Sequence, residues 1–233
     1  MTQGQSFKTF ETKAALQAAA AEWIAKALKD AITRRGSAVF MGSGGRTPGP
    51  VYEQLSQADL EWEKVQVGLC DERWVDTDHP ASNGAMVERT LLQNNARVAD
   101  YIPMKTPKAD PFSAVEDLND LYLDANLTDV MLLGMGPDAH TLSWFAGARG
   151  YEKAVDPDAT SVVTAIEAIE SEVTGPNLLR MTLTQPCVAY ARNVLLIITG
   201  ADKRAVYENA PADAPVSIMR QAAGDALTVF YCD

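Results

Sequence analysis

The chain has 233 residues, 47% of them apolar and 22% charged, a composition that excludes a largely disordered protein. Its formal net charge of -11 argues against nucleic acid as a principal partner, because no dense run of Lys or Arg offsets the 31 acids. Two histidines exclude a multi-histidine metal site, and three scattered cysteines lack the spacing of a zinc site or a disulfide framework.

Short apolar runs alternate with helical patterns along the chain. An Ala-rich amphipathic helix is predicted over residues 11–35, ending at Gly36. Strands are predicted, in chain order, at residues 38–41, 65–69, 130–133, 161–165, 194–199 and 228–231. Further helices are predicted at residues 48–57, 83–93, 111–123, 183–191 and 202–209. This order predicts one α/β domain over residues 1–233, with a mostly parallel, doubly wound sheet and helices on both faces.

The sequence also predicts where the protein resides. The first ten residues are polar, without the basic and apolar regions of a secretory leader, and the longest apolar runs, 130–133 and 194–198, are far too short for a membrane span. Cysteines that lack the spacing of a disulfide framework or a zinc site are typical of proteins whose thiols are reduced. We therefore expect a cytoplasmic protein with no membrane partner.

A glycine-rich loop, residues 42–48, follows the strand predicted at 38–41. Gly44 and Gly45 allow backbone N–H groups to face a ligand, while Ser43 and Thr47 add hydroxyl donors before a helix N-terminus. The only charged residue of the loop is Arg46. A phosphate site and a plain strand-to-helix turn are equally good interpretations of this segment alone.

Two more polar segments precede the middle of the chain. Arg73, in the acidic stretch 71–75, offers a guanidinium fork to a phosphate or carboxylate, although an ion pair with its acidic neighbours is the more common arrangement. His79 lies in a polar loop before a helix that Ser82 or Asn83 is expected to cap, and is predicted to be a surface histidine.

A second glycine turn, at residues 134–141, brings Asp138 and His140 to the end of a predicted strand. A histidine can take a proton from water and return it, and a carboxylate can orient the imidazole. The alternative, weighed evenly, is that Asp138 caps a helix whose first turn contains His140. The spacing Gly134-x-Gly136-x-x-Ala139 also satisfies a dinucleotide fingerprint, but the acid expected about twenty residues later is not at a strand end, which argues against a nicotinamide or flavin site.

Charge is unevenly distributed towards the C-terminus. Residues 180–204 carry Arg180, Arg192, Lys203 and Arg204 against one acid, whereas residues 152–172 carry six acids against one lysine. A bound phosphate or cations at a helix C-terminus would explain the basic segment. The acidic segment is expected to lie elsewhere.

Together these loops resemble the 6-phosphogluconolactonase family, a branch of the superfamily that also contains the glucosamine-6-phosphate deaminases and isomerases. The matching segments, in family order, are SGGRTP (43–48), DERWV (71–75), Ser82-Asn83, LGMGPDAHTLSWF (133–145), RMTLT (180–184) and TGADK (199–203). One departure is Ala139, where the family has glycine. If that position requires a positive φ, the alanine would affect the geometry of the loop. Residues 142–145 favour the lactonase branch over the deaminases.

The resemblance implies a sugar-phosphate isomerase type of fold and the hydrolysis of 6-phospho-D-glucono-1,5-lactone to 6-phospho-D-gluconate, without metal or cofactor. It implies His140 as general base and Asp138 as its orienting partner, with backbone N–H groups or Arg73 on the oxyanion. Ser43, Gly44, Gly45, Thr47 and Lys203 would bind the 6-phosphate, with Arg73 and Arg180 nearby. The partner is a small phosphorylated sugar lactone, and the protein is expected to be a monomer or homodimer. A deaminase or isomerase, or a non-catalytic sugar-phosphate-binding protein, is the alternative.

Overall fold

The structure, a computed structural model, describes residues 6–123 and 127–233. Its longest element is helix α1 (Lys13–Arg35). The Thr12 side chain accepts a hydrogen bond from the Ala15 N–H and satisfies one of the free amides of the first turn. At the other end Gly36, with φ of 82°, takes the left-handed conformation that commonly ends helices, as the sequence predicts.

The remaining helices follow the strands of an α/β chain. They are α2 (Pro48–Leu55), α3 (Asn83–Thr90), α4 (Pro111–Leu121), α5 (Tyr151–Ala154), α6 (Gln185–Tyr190), α7 (Ala201–Asn209) and α8 (Pro215–Ala223). The Ser82 side chain caps α3 by accepting a hydrogen bond from the Ala85 N–H. The predicted helices are thus confirmed in position, with ends that differ by at most three residues, while α5 and α8 carry no prediction.

The strands form two sheets. They are β1 (Ser6–Thr9), β2 (Ala38–Gly42), β3 (Val65–Leu69), β4 (Asp71–Arg73), β5 (Asp100–Tyr101), β6 (Val130–Gly134), β7 (Val163–Glu167), β8 (Leu179–Leu183), β9 (Val194–Thr199) and β10 (Leu227–Cys232). The large sheet has the order β1-β10-β9-β6-β2-β3-β5, and all its pairs are parallel. This confirms the mostly parallel α/β fold.

The small sheet, β4-β8-β7, is antiparallel and differs from the prediction. The strand predicted at 161–165 is displaced to Val163–Glu167 and pairs with β8, not with the large sheet. Strand β4 joins β8 with Arg73 opposite Arg180, so two arginines that are far apart in sequence become cross-strand neighbours. Three-residue strands of charged residues leave no apolar run from which they could be predicted.

The centre of the large sheet is fully buried. Strands β6 and β9 are apolar over almost their whole length, as expected for parallel strands covered on both faces. Cys70, Cys187 and Cys232 are buried, and none of them forms a disulfide within the described ranges. Within the described ranges, no helix has both the length and the apolarity to cross a membrane.

Candidate active site

Strands β2, β6 and β9 lie side by side and end at the same edge of the large sheet. Parallel sheets bind ligands at this carboxyl edge. A cavity of about 950 Å³ opens there. It is lined by the residues after β2 and β6 and by the end of β9, and its polar side chains include Arg46, Thr47, Arg73, His140, Thr199 and Lys203.

The glycine-rich loop after β2 forms one wall of the cavity. Gly44 passes so close to Asn83 that a Cβ atom there would lie 1.8 Å from the Asn83 Oδ1, so no side chain fits. Gly45 has φ of 108°, which also favours glycine. Thr47 precedes the N-terminus of α2 and lines the cavity, where the helix dipole favours an anion.

Ser43 is 6% exposed and lines a smaller recess behind this wall. The recess has a volume of about 80 Å³. Its lining includes Gly44, Arg73 and His140, which also line the large cavity, together with Asp71, Asn83 and Arg180, which do not. The two spaces therefore adjoin at His140 and Arg73.

Arg73 is not paired with its acidic neighbours. The Glu72 carboxylate accepts hydrogen bonds from the backbone N–H groups of Arg73, Asn83 and Gly84 and from the Ser82 hydroxyl. Burial raises the pKa of Glu72, and these hydrogen bonds oppose the rise. Arg73 Nη1 donates instead to the Ala81 carbonyl and the Asn83 Oδ1, each at 2.8 Å. The ion-pair interpretation of Arg73 is wrong, because the Glu72 carboxylate accepts hydrogen bonds from the loop that begins α3 and does not pair with the Arg73 guanidinium.

His140 and Asp138, which are two residues apart in the sequence, form a pair in the structure. The His140 Nδ1 lies 2.5 Å from the Asp138 Oδ1. A carboxylate accepts a hydrogen bond, so this contact places the ring proton on Nδ1 and leaves the Nε2 lone pair to accept a proton. Burial acts to raise the pKa of Asp138, but the hydrogen bonds and charge of His140 outweigh it, so the pKa lies below its usual value.

A tight backbone turn holds this pair. The Gly136 N–H donates to the His140 carbonyl at 2.9 Å, and the Ala139 N–H donates to the Gly136 carbonyl at 3.2 Å. The next helix, α5, begins only at Tyr151. The helix-cap interpretation of Asp138 is therefore wrong, and the glycine spacing after β6 lacks the helix that a dinucleotide site needs.

Ala139 has φ of 67°, in the left-handed region. The position that is glycine in the family pattern does require a positive φ, and this chain adopts it with an alanine at a cost of about 1–2 kcal/mol. The Ala139 carbonyl accepts a hydrogen bond from the Val216 N–H of α8 at 3.0 Å. This contact joins the turn that carries His140 to α8.

Phe145 is a site residue whose role the sequence does not reveal. Its ring centroid lies 4.5 Å from that of His140, and the Arg180 guanidinium lies 5.7 Å from the same ring. It therefore contacts both groups and helps to orient them. It belongs to the segment 142–145 that carries the family resemblance, but nothing in that segment indicates a contact with Arg180.

The basic segment 180–204 divides in the structure. Lys203 lines the large cavity, and its Nζ donates to the Met135 carbonyl at 2.6 Å. Burial and then the charge of Arg46 lower the pKa of Lys203, while Asp138 opposes them. Arg180 lines only the recess. Arg192 and Arg204 pair with Asp129 and Glu208, respectively.

Two further segments line the large cavity without having been predicted. Lys13, Leu16 and Gln17 come from α1, and Glu172 and Val173 come from the connection between β7 and β8. The expectation that the acidic segment lies away from the site is wrong at Glu172, because that connection reaches across the cavity. No sequence signal marks these positions, since their role depends on how distant segments pack.

The other titratable candidates lie outside the site. His79 is exposed, and its Nδ1 accepts a hydrogen bond from the Ala81 N–H. Among residues 6–123 and 127–233, no group of three or more His, Cys, Asp or Glu is placed to hold a metal ion.

An open parallel sheet with a cationic cavity and an acid–histidine pair at its carboxyl edge defines an α/β protein that binds a small anionic ligand. The family model described as glucosamine-6-phosphate isomerases/6-phosphogluconolactonase matches residues 11–228. The chain belongs to this family.

Named relatives lie within the same family. A 6-phosphogluconolactonase of Neisseria meningitidis serogroup B is 34% identical, over 96% of this chain and 97% of its own. The crystal structure of a 6-phosphogluconolactonase from Shewanella baltica has a TM-score of 0.88 at 31% identity, covering 100% of both chains. A monomeric glucosamine-6-phosphate deaminase, 19% identical with a TM-score of 0.75 and 97% of both chains covered, shares the fold.

Proposed function

We propose that this protein hydrolyses 6-phospho-D-glucono-1,5-lactone to 6-phospho-D-gluconate, a step of the oxidative pentose phosphate pathway. The relatives named above support the substrate. The observation that carries the proposal is the His140–Asp138 pair, 2.5 Å apart, between a cationic cavity and a small polar recess.

His140 acts as the general base. A water molecule attacks C1 of the lactone, its proton passes to the His140 Nε2, and its oxygen forms the new bond to C1. Asp138 keeps the ring proton on Nδ1 and stabilises the imidazolium as it forms. The carbonyl electron pair moves onto the exocyclic oxygen, which becomes an oxyanion beside Arg73.

Collapse of the tetrahedral intermediate completes the reaction. The carbonyl re-forms, the bond between C1 and the ring oxygen breaks, and the His140 imidazolium returns its proton to that oxygen to give the 5-hydroxyl group. The carboxylic acid produced then loses a proton to solvent. A lactone is an activated ester, so this scheme uses only side chains and water.

The 6-phosphate occupies the part of the cavity walled by the glycine-rich loop. Its ligands are the backbone N–H groups of Gly44 and Gly45, the Thr47 hydroxyl group and the Lys203 ammonium, whereas Ser43 lines the recess and not this cavity. The partial burial of Lys203 and its contact with the Met135 carbonyl hold it beside the turn that carries His140. We assign Arg46 to the same anion site.

We also propose that residues 1–233 form one domain, that it works in the cytoplasm, and that it acts as a monomer or homodimer. The single large sheet supports the first of these, because β1 and β10 join the two ends of the chain in one layer.

Comparing two histidine variants tests the base assignment. His140→Ala is expected to reduce the formation of 6-phosphogluconate from freshly prepared lactone to near the spontaneous rate, measured as proton release. His79→Ala is the matched control, because His79 is exposed and lies outside both cavities. Largely intact turnover by His140→Ala would refute the assignment. Ammonia release from glucosamine 6-phosphate would identify a deaminase instead.

A second pair of variants tests the phosphate site. Lys203→Ala is expected to raise KM for the lactone, because the phosphate supplies anchoring energy, with a smaller effect on kcat. Arg204→Ala is the control. Arg204 follows Lys203 in the sequence, but its side chain is exposed and pairs with Glu208. An unchanged KM for Lys203→Ala would remove Lys203 from the site.

A further inference from the structure

The cations around the site fall into two groups. Arg46 and Lys203 line only the large cavity, whereas Arg180 lines only the recess. Electrostatics separate the groups in the same way: the charge of Arg46 acts on Lys203, and that of Arg73 acts on Arg180. His140 lines both spaces. A set of cationic side chains therefore lies on each side of His140.

Arg180 is fixed by protein contacts but not saturated by them. It is 5% exposed, and its Nε and Nη2 donate to the carbonyls of Asn177 and Thr174 at 2.7 and 2.9 Å. Its Nη1 has no hydrogen bond within the described ranges. Burial, followed by the charge of Arg73, lowers the pKa of Arg180 to about 10, so it is still a cation at neutral pH.

Arg73 completes the recess with an unsatisfied donor. Its Nε is buried and lacks a hydrogen-bond partner in the described chain. Buried polar groups are normally paired, so an orphan N–H beside an open recess indicates an acceptor supplied by a ligand. Two adjacent guanidinium groups, each with donors to spare, favour a planar anion.

The charge balance and size of the recess also suit a carboxylate. Its one carboxylate, Asp71, is already engaged: Oδ2 accepts from the Ser143 hydroxyl at 2.6 Å, and Oδ1 accepts from the Asn83 amide at 3.3 Å. Two guanidinium groups against one carboxylate leave the recess positive. Its 80 Å³ is small beside the 950 Å³ of the large cavity, so the recess suits one small group and not the whole sugar phosphate.

We propose that the recess binds the oxygens at C1 of the substrate, with Arg180 joining Arg73 as a second catalytic arginine. The two arginines stabilise the oxyanion during attack and then bind the carboxylate of the product. This inference rests on the proposed lactone hydrolysis and reassigns Arg180, which the sequence places near the phosphate. The phosphate remains with Arg46, Lys203 and the glycine-rich loop.

Two ligands that differ only at C1 test this assignment. 6-Phosphogluconate carries a carboxylate there, whereas D-glucitol 6-phosphate carries a neutral hydroxymethyl group. Calorimetric Kd values are measured for both ligands. Arg180→Gln is expected to weaken 6-phosphogluconate by about 10- to 100-fold, as for loss of a hydrogen bond between charged groups, and to leave glucitol 6-phosphate within about twofold. Lys203→Ala is expected to weaken both ligands equally.

A control and a conservative variant separate binding from support of the loop. Arg192→Gln, outside both cavities, should change neither Kd. Arg180→Lys keeps a cation in the recess but cannot hold both carbonyls as the fork does, so it should retain part of the preference for 6-phosphogluconate. Thermal unfolding verifies that each variant is folded.

Three outcomes would overturn the inference. Equal weakening of both ligands by Arg180→Gln would place the phosphate in the recess, and no weakening of either would leave Arg180 with only a structural role. Equal loss of the preference in the Lys and Gln variants would attribute it to the loop. Because Kd is measured without turnover, a protein that discriminates between the ligands but does not hydrolyse the lactone would refute the proposed function alone.

Discussion

Gly136 provides a sharp test of the role proposed for His140, because a side chain at Gly136 would occupy the space that the His140 ring fills. A Cβ atom at Gly136 would lie 2.1 Å from the His140 Nδ1 and 2.5 Å from the Asp138 Oδ1. Ordinary contacts begin at 3.4 Å, so Gly136→Ala must separate these atoms by about 1.3 Å. The ring cannot easily move away, since Phe145 packs on it and Asp138 holds Nδ1.

A displacement of about 1 Å at a catalytic group costs on the order of 100-fold in rate. We therefore expect Gly136→Ala to lower kcat for lactone hydrolysis by about 100-fold. KM should change little, because the phosphate ligands come from other loops. Gly136 has no positive φ, so the alanine adds no backbone strain and the effect isolates the steric displacement.

Steady-state hydrolysis of freshly prepared lactone, corrected for the spontaneous rate, measures the effect. Gly49→Ala is the matched control: its Cβ would meet no atom within 4 Å, its φ is not positive, and it lies outside both cavities. A kcat for Gly136→Ala within about threefold of that of the control would refute the requirement for a fixed His140 ring.

Two other predictions concern the same turn. Ala139→Val should destabilise the protein by more than about 2 kcal/mol, because a β-branched residue tolerates the left-handed region poorly. Ala139→Gly should stay within about 1 kcal/mol of the parent. Urea unfolding at pH 7 measures both free energies, and an Ala139→Val variant as stable as the parent would contradict the backbone strain at Ala139. The pKa of Asp138 is lowered in the folded protein, so its contribution to stability is present above about pH 4 and lost as the pH falls through the folded pKa. Asp138→Asn should therefore be less stable than the parent at pH 7 and approach it at low pH, and a constant difference in urea midpoint would contradict this coupling.

The central strands of the large sheet follow directly from local sequence, whereas the edge strands β1 and β5 carry no prediction. Strands β2, β3, β6 and β9 are mostly apolar runs closed by glycine or polar residues, and such a run predicts a buried parallel strand without information from distant segments. The small sheet could not be found in this way, because β4 consists of charged residues. Its stability comes from pairing with β8, and that pairing is visible only once the chain has folded.

The candidate site also has one part that local sequence predicts and another part that it does not. The loops that carry Gly44, Arg73 and His140 sit at strand ends, so topology brings them together as the sequence predicts. Three features depend on the antiparallel pair β7–β8: the position of Arg180 in the recess, the contact of Arg180 with Phe145, and the approach of Glu172 to the cavity. No periodicity or motif encodes contacts of that kind.

The pairing of β1 with β10 has a consequence for how the protein is made. Ser6 lies opposite Thr228, and β10 is the only strand next to β1 in the sheet of the described chain. Of the strands described, β1 leaves the ribosome first and β10 last. Strand β1 therefore stays without its partner until β10 has emerged, so this edge of the sheet is completed late in folding.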